Sequence, residues 1–229
     1  MDQKMKILII ANKIVFPASD GGSLAMGNLC NILSDQKYMI DVISISKNNH
    51  INSINQPIQS QQNKYINQVI FQKNMRFNIF SFINSILQNK SYQASRFYHK
   101  KIQTFIQNKI NKKKYNIIIF ESIFSTIYLN GLNILPSTTK ILRAHNVEHK
   151  IWEDLAAQQK IKKIPFLLLA YQLRIMEKNT PKKLDYIFTL SKSDEKYFKN
   201  IFPKKTHNIP VTFKPESNNI KKIKNSIFH

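Results

Sequence analysis

Short, nearly unbroken apolar runs alternate along this chain with longer segments whose apolar side chains recur every three or four positions. The runs at residues 5–11, 38–46, 65–71, 115–120, 140–144 and 186–190 predict strands. Residues 115–120 are dominated by isoleucine, which predicts a central strand buried on both faces. Helical spacing marks residues 23–35, 77–88, 92–110, 147–160 and 165–178; in the third of these, Tyr98, Ile102, Phe105, Ile106 and Ile110 share one stripe, and Pro165 suits a first helical turn. Strands and helices in this order predict βαβ units, hence an α/β protein with a doubly wound, mostly parallel, Rossmann-like sheet. Residues 47–64, rich in Asn, Gln and Ser, predict a long surface loop. Beyond Phe202 the pattern thins. The chain therefore divides into one domain over 1–214 and a linker or exit segment over 215–229.

A length of 229 residues suits one large domain, and 42% hydrophobic residues with 15 Phe predict a packed core despite a mean hydropathy of −0.33. The net charge of +22 creates a field that favours nucleic acid, an anionic membrane surface or phosphorylated small molecules. Lysine clusters at 112–114, 160–163, 204–205 and 221–224 are scattered and build no single stripe, so the charge equally fits compositional drift. The single cysteine, Cys30, excludes an intramolecular disulfide, suits a reducing, cytoplasmic compartment and sits among Leu29, Ile32 and Leu33 as a small core residue. The longest apolar stretch, 164–171, falls far short of the roughly 20 residues of a bilayer span. Residues 161–176 place Lys160, Lys162 and Lys163 beside Phe166 to Leu169, a pattern for an anionic membrane surface or for ordinary helix packing.

Candidate chemistry gathers at strand ends, because ligands of open α/β sheets bind outside the carboxyl ends of the strands. After the first strand comes Pro17-Ala18-Ser19-Asp20-Gly21-Gly22-Ser23. Gly21 and Gly22, two of only four glycines, let a ligand approach backbone at a helix N-terminus that favours phosphate, although a tight turn would use them too. Gly27 comes too late to complete a dinucleotide fingerprint. After the 140–144 strand comes His145-Asn146-Val147-Glu148-His149, whose letters fit the inverted zinc-protease pattern H-x-x-E-H. That chemistry needs both imidazoles on one helix face, whereas the strand immediately before places His145 ahead of the helix. A histidine that merely caps a strand end is the plain structural alternative. Glu121 closes the 115–120 run, and Ser191-Lys192-Ser193-Asp194 reads as a helix N-cap with an acidic third position.

Arg143-Ala144-His145-Asn146-Val147-Glu148, with Pro17 to Ser23 upstream and Thr189 to Asp194 downstream, resembles the N-terminal domain of GT-B glycosyltransferases of the large retaining family four, across about residues 5–214. The resemblance implies a nucleotide-sugar donor, a sugar or lipid-linked acceptor, retention at the transferred carbon, and no metal or other cofactor. It implies Gly21, Gly22 and Ser23 against the donor diphosphate and acceptor, and His145 facing the transferred sugar. It further implies that Glu148 orders its loop or the acceptor, with Arg143, Asn146, Glu121 and Ser191 in support. The second Rossmann-like domain that holds the nucleotide in that family would be supplied in cis or in trans, so the expected activity of this chain alone is nil. The setting implied is polysaccharide biosynthesis in the cytoplasm or at the inner face of a membrane. A rival of another class is a non-catalytic basic module for RNA or an anionic membrane. Aromatic residues at core spacing speak against an RNA stacking platform, so no specific nucleic-acid partner is expected.

Overall fold

A computed structural model describes residues 4–51, 53–159, 161 and 163–211. The proposed linker 215–229, with Lys160, Lys162 and the lysines at 221–224, lies outside the described residues. Eight strands form one sheet among them: β1 (Lys6–Ala11), β2 (Met39–Lys47), β3 (Ile58–Gln61), β4 (Ile66–Lys73), β5 (Ile117–Glu121), β6 (Thr139–Ala144), β7 (Tyr186–Thr189) and β8 (Thr206–Asn208). Their order is β3-β4-β2-β1-β5-β6-β7-β8, and every pairing is parallel except β3 with β4. The chain winds outward from β1 through β2 to β4, then returns to β5 on the other side of β1. The carboxyl ends of β1 and β5 are therefore the switch point where a crevice opens in such sheets.

The helices are α1 (Gly21–Asp35), α2 (Ile79–Leu87), α3 (Tyr92–Ser95), α4 (Lys100–Lys113), α5 (Glu148–Ala157), α6 (Lys163–Asn179) and α7 (Lys192–Ile201). Alternation along β1 sends Leu8 and Ile10 into one core layer with Ile118, Phe120 and the Ile102–Ile106 stripe of α4, and Ile7 and Ile9 into the other with Met26 and Cys30 of α1. Burial pushes the Cys30 thiol well above its ordinary range, which leaves it an inert core side chain.

Local chemistry explains where the architecture departs from the sequence pattern. The single helix expected at 92–110 is two, because His99 adopts an extended backbone and caps α4, its Nδ1 accepting the Lys101 amide at 3.2 Å. The Lys73 ammonium fills the break by donating to the carbonyls of Arg96 and Tyr98 at 2.7 and 2.6 Å. The polar loop 47–64 contains β3, an edge strand whose side chains are mostly exposed and so carry no apolar period. Residues 123–131 form 3-10 turns after Ser122, whose φ is 71°.

Candidate functional site

Parallel register brings three strand ends level: Ala11 of β1 lies opposite Glu121 of β5, and Glu121 opposite Arg143 of β6. Glu121 is fully buried, which by itself would raise its pKa. The Arg143 guanidinium and the hydrogen bond with His145 outweigh that and hold the carboxyl below the usual range. Arg143 Nη1 lies 3.1 and 3.3 Å from the two Glu121 oxygens, and Nη1 and Nη2 each donate to the Ala25 carbonyl of α1 at 3.3 Å. One buried guanidinium thus ties the ends of β5 and β6 to the first turns of α1.

His145, two residues beyond Arg143, places Nε2 2.6 Å from Glu121 Oε2. An ionised carboxylate only accepts, so the proton between them belongs to Nε2. Among the described residues Nδ1 has no protein partner.

The β1–α1 loop is fixed by residues that the pattern of the sequence did not single out. Gln68 of β4, buried, accepts the Val15 and Phe16 amides at 3.1 and 2.9 Å through Oε1 and donates Nε2 to the Phe16 carbonyl at 2.6 Å. Gly27 has Phe16 against it: an added Cβ would meet the Phe16 ring at 3.2 Å. Asp20 caps α1, accepting the Ser23 amide at 2.7 Å, while Ser23 Oγ accepts the Ser19 and Asp20 amides at 2.9 Å. The Ser23 amide and then the Lys13 ammonium, 2.9 Å from Oδ2, lower the Asp20 pKa to about 2.

Neither Gly21 nor Gly22 has a positive φ, so the turn itself does not require glycine. A Cβ on Gly21 would meet nothing within 4 Å, and one on Gly22 would meet the movable end of Lys13 at 2.9 Å. What the pair provides is open space above a helix N-terminus, where the first-turn N–H groups lack intrahelical acceptors.

Glu148 opens α5 on the far side of this space. Burial raises its pKa to about 7. The Asn146 amide, at 3.5 Å, lowers it, the Glu177 and Asp194 carboxylates push it up, and Lys13 pulls it down. Its neighbours come from four segments: Lys13 from the β1–α1 loop, Asn146 from the β6–α5 loop, Glu177 from α6 and Asp194 from the first turn of α7. Ser191 caps α7, accepting the Asp194 amide at 3.1 Å and donating to Asp194 Oδ2 at 2.5 Å.

The sequence reading passed over Glu177. Fully buried on α6, it accepts the Glu148 amide at 2.6 Å and the His149 amide at 3.4 Å, and binds His149 Nδ1 through its other oxygen. It is the cap that Val147, with no side-chain hydrogen bond, does not supply. The two imidazoles of the H-x-x-E-H letters therefore turn to different carboxylates, His145 to Glu121 and His149 to Glu177. Among the described residues no group of three His, Cys, Asp or Glu is arranged to hold a metal ion.

Asn12 Oδ1, just past the end of β1, is a buried acceptor without a hydrogen-bond partner.

No protein-family model matches the sequence, and no curated protein matches it. The fold matches solved structures: sucrose-phosphate synthase from Thermosynechococcus elongatus, with a TM-score of 0.57, 12% identity, and coverage of 90% of this chain and 48% of that one. It also matches the catalytic domain of starch synthase IV from Arabidopsis thaliana bound to ADP and acarbose, with a TM-score of 0.51, 10% identity, and coverage of 91% and 52%. An E. coli trehalose-6-phosphate structure bound with UDP-2-fluoro glucose gives a TM-score of 0.50, 10% identity, and coverage of 91% and 49%. These neighbours are GT-B glycosyltransferases, so the chain has the Rossmann-like fold of a GT-B domain, and it spans about half the length of each.

Proposed function

We propose that this chain is the N-terminal, acceptor-side half of a retaining glycosyltransferase that moves a sugar from a nucleotide-sugar donor to a sugar or lipid-linked acceptor. The observation that carries this reading is the convergence of the Gly21-Gly22 helix start, His145 and Glu148 on one rim, with Glu121 locking the His145 ring. In the transfer, the acceptor oxygen bonds to the anomeric carbon on the face the diphosphate leaves. The old C–O bond gives its electron pair to the diphosphate, and the acceptor proton follows to that oxygen. The Gly21 and Gly22 amides at the start of α1, with Lys13 beside them, favour the negative charge that accumulates. His145 Nδ1 hydrogen-bonds a hydroxyl of the sugar, and the orphan Asn12 oxygen can accept from another. Ser23 holds the loop, Arg143 anchors Glu121 to α1, Asn146 and Glu148 shape the acceptor side, and Ser191 fixes the α7 turn. No metal or cofactor enters this scheme. The nucleotide is held by a C-terminal domain acting in cis or in trans, on the cytoplasmic side of a membrane.

The test has two arms. Titrating the 15N-labelled chain with UDP-glucose and ADP-glucose is expected to shift the Gly21, Gly22 and His145 amides; saturable shifts confined to other regions would refute the site. Sugar transfer by the purified chain alone is expected to be nil, and clear turnover would refute the half-enzyme part.

A further inference from the structure

Among the described residues no helix is long and apolar enough to cross a membrane, yet α2 exposes an apolar flank that water does not favour. Its inner face is pinned: Phe82 packs with Tyr92 and Leu169, and Gln172 of α6 donates to Ser85 Oγ at 3.1 Å while accepting the Tyr92 amide at 3.0 Å. With Phe82 and Ser85 facing inward, helical geometry turns Phe80, Ile83 and Leu87 outward. Phe80 and Leu87 are each 80% exposed. On α6, Ile164 and Leu168 stand two turns and one turn before Gln172 on the row that meets Ser85, and Ile164 is 71% exposed. Both helices thus expose several large apolar side chains, more than the single exposed apolar residues common on soluble surfaces.

Charge decides what covers it. Residues 72–108 contain no Asp or Glu, and Arg76 and Lys90 flank α2 on either side. A second copy of a chain carrying +22 would bring like charges together around this face, whereas an anionic lipid surface offers hydrocarbon to the apolar side chains and headgroup charge to the lysines. We infer that the α2–α6 face is an interfacial anchor that inserts Phe80, Ile83 and Leu87 of α2, with Ile164 and Leu168 of α6, into the headgroup boundary of an anionic membrane. α2 follows the carboxyl end of β4, whereas Ile164 and Leu168 stand at the start of α6, at the end away from Glu177 and Glu148. The inference rests on the exposed face and its charge, and it stands whether or not the chain takes part in sugar transfer.

Flotation of the purified 229-residue chain with phosphatidylglycerol/phosphatidylcholine vesicles tests it, with pure phosphatidylcholine as the comparison. Binding is expected to the anionic vesicles alone. Phe80→Asp/Leu87→Asp is expected to weaken it at least roughly tenfold, since two large side chains lose their burial in lipid. Ile164→Asp/Leu168→Asp is expected to act in the same direction, with far-UV circular dichroism and the melting temperature unchanged in both. Absence of vesicle binding, or undiminished binding by folded double variants, would overturn the anchor. So would a native dimer in light scattering that Phe80→Asp/Leu87→Asp converts to monomer, or RNA binding lost in that variant without any vesicle binding.

Discussion

His145 Nε2 lies 2.6 Å from the fully buried carboxylate of Glu121, which Arg143 holds from its other side. The imidazole is thereby fixed in orientation by a group that no solvent reaches. The arrangement gives the two side chains very different structural weights.

Glu121→Gln leaves the Arg143 guanidinium buried without its counter-charge and is expected to cost about 3–5 kcal/mol. His145→Ala leaves the Glu121–Arg143 pair intact and is expected to cost less than about 2 kcal/mol. Urea unfolding of both variants checks the contrast; equal losses would mean that the histidine, not the ion pair, holds the strand ends together.

Glu148 is expected to titrate near pH 7 in the folded chain, against an ordinary value of 4.5. Because the folded-state pKa is raised, its contribution is complete below about pH 4.5 and declines as pH rises through 7, by up to about 3 kcal/mol. Glu121, shifted downward, acts with the opposite sign and loses its contribution as pH falls. Carboxyl 13C NMR reads the Glu148 midpoint directly. Lys13→Ala should raise it and Asp194→Asn should lower it; a midpoint indifferent to both would separate Glu148 from the β1–α1 loop and from α7.

Gly22→Ala is expected to change stability by no more than about 1 kcal/mol, since the position is helical, needs no positive φ and meets only side-chain ends, the Lys13 ammonium at 2.9 Å and the Asp20 carboxylate at 3.3 Å. The same substitution should weaken the response of the Gly21 and His145 amides to nucleotide sugar. A large loss of stability with ligand shifts unchanged would return the glycine pair to the role of a turn.

Gln68→Ala strips the Val15 and Phe16 amides of their buried acceptor, with an expected cost of about 2–4 kcal/mol and a looser segment 12–20. Limited trypsin digestion should then cut after Lys13 faster than in the native chain. Unchanged cleavage would show that Phe16 packing against Gly27 suffices to hold the loop.

Glu177→Gln removes the charge that caps α5 and engages His149. Hydrogen exchange at the Glu148 and His149 amides is expected to accelerate about tenfold or more, as befits a lost charge-assisted bond of about 1.5–3 kcal/mol. Exchange at the native rate would assign the α5 start to helix packing alone.

The apolar runs and helical spacings by themselves determined the α/β class, the parallel strands and the placement of Gly21, Gly22, His145 and Glu148 in the strand-to-helix connections and helix starts, because period and punctuation are local properties of a chain. They missed β3, whose exposed edge positions impose no apolar period, and β8, three polar residues long, and they fused α3 with α4, whose separation depends on Lys73 reaching the Arg96 and Tyr98 carbonyls from β4. Only the tertiary structure decided which carboxylate each histidine meets, that Glu177 rather than a local residue caps α5, that Gln68 clamps a loop 52 positions away, and that α2 turns apolar side chains outward. Such contacts arise between residues distant in sequence, where partners are selected by strand register and helix packing, and no local pattern of side chains encodes them.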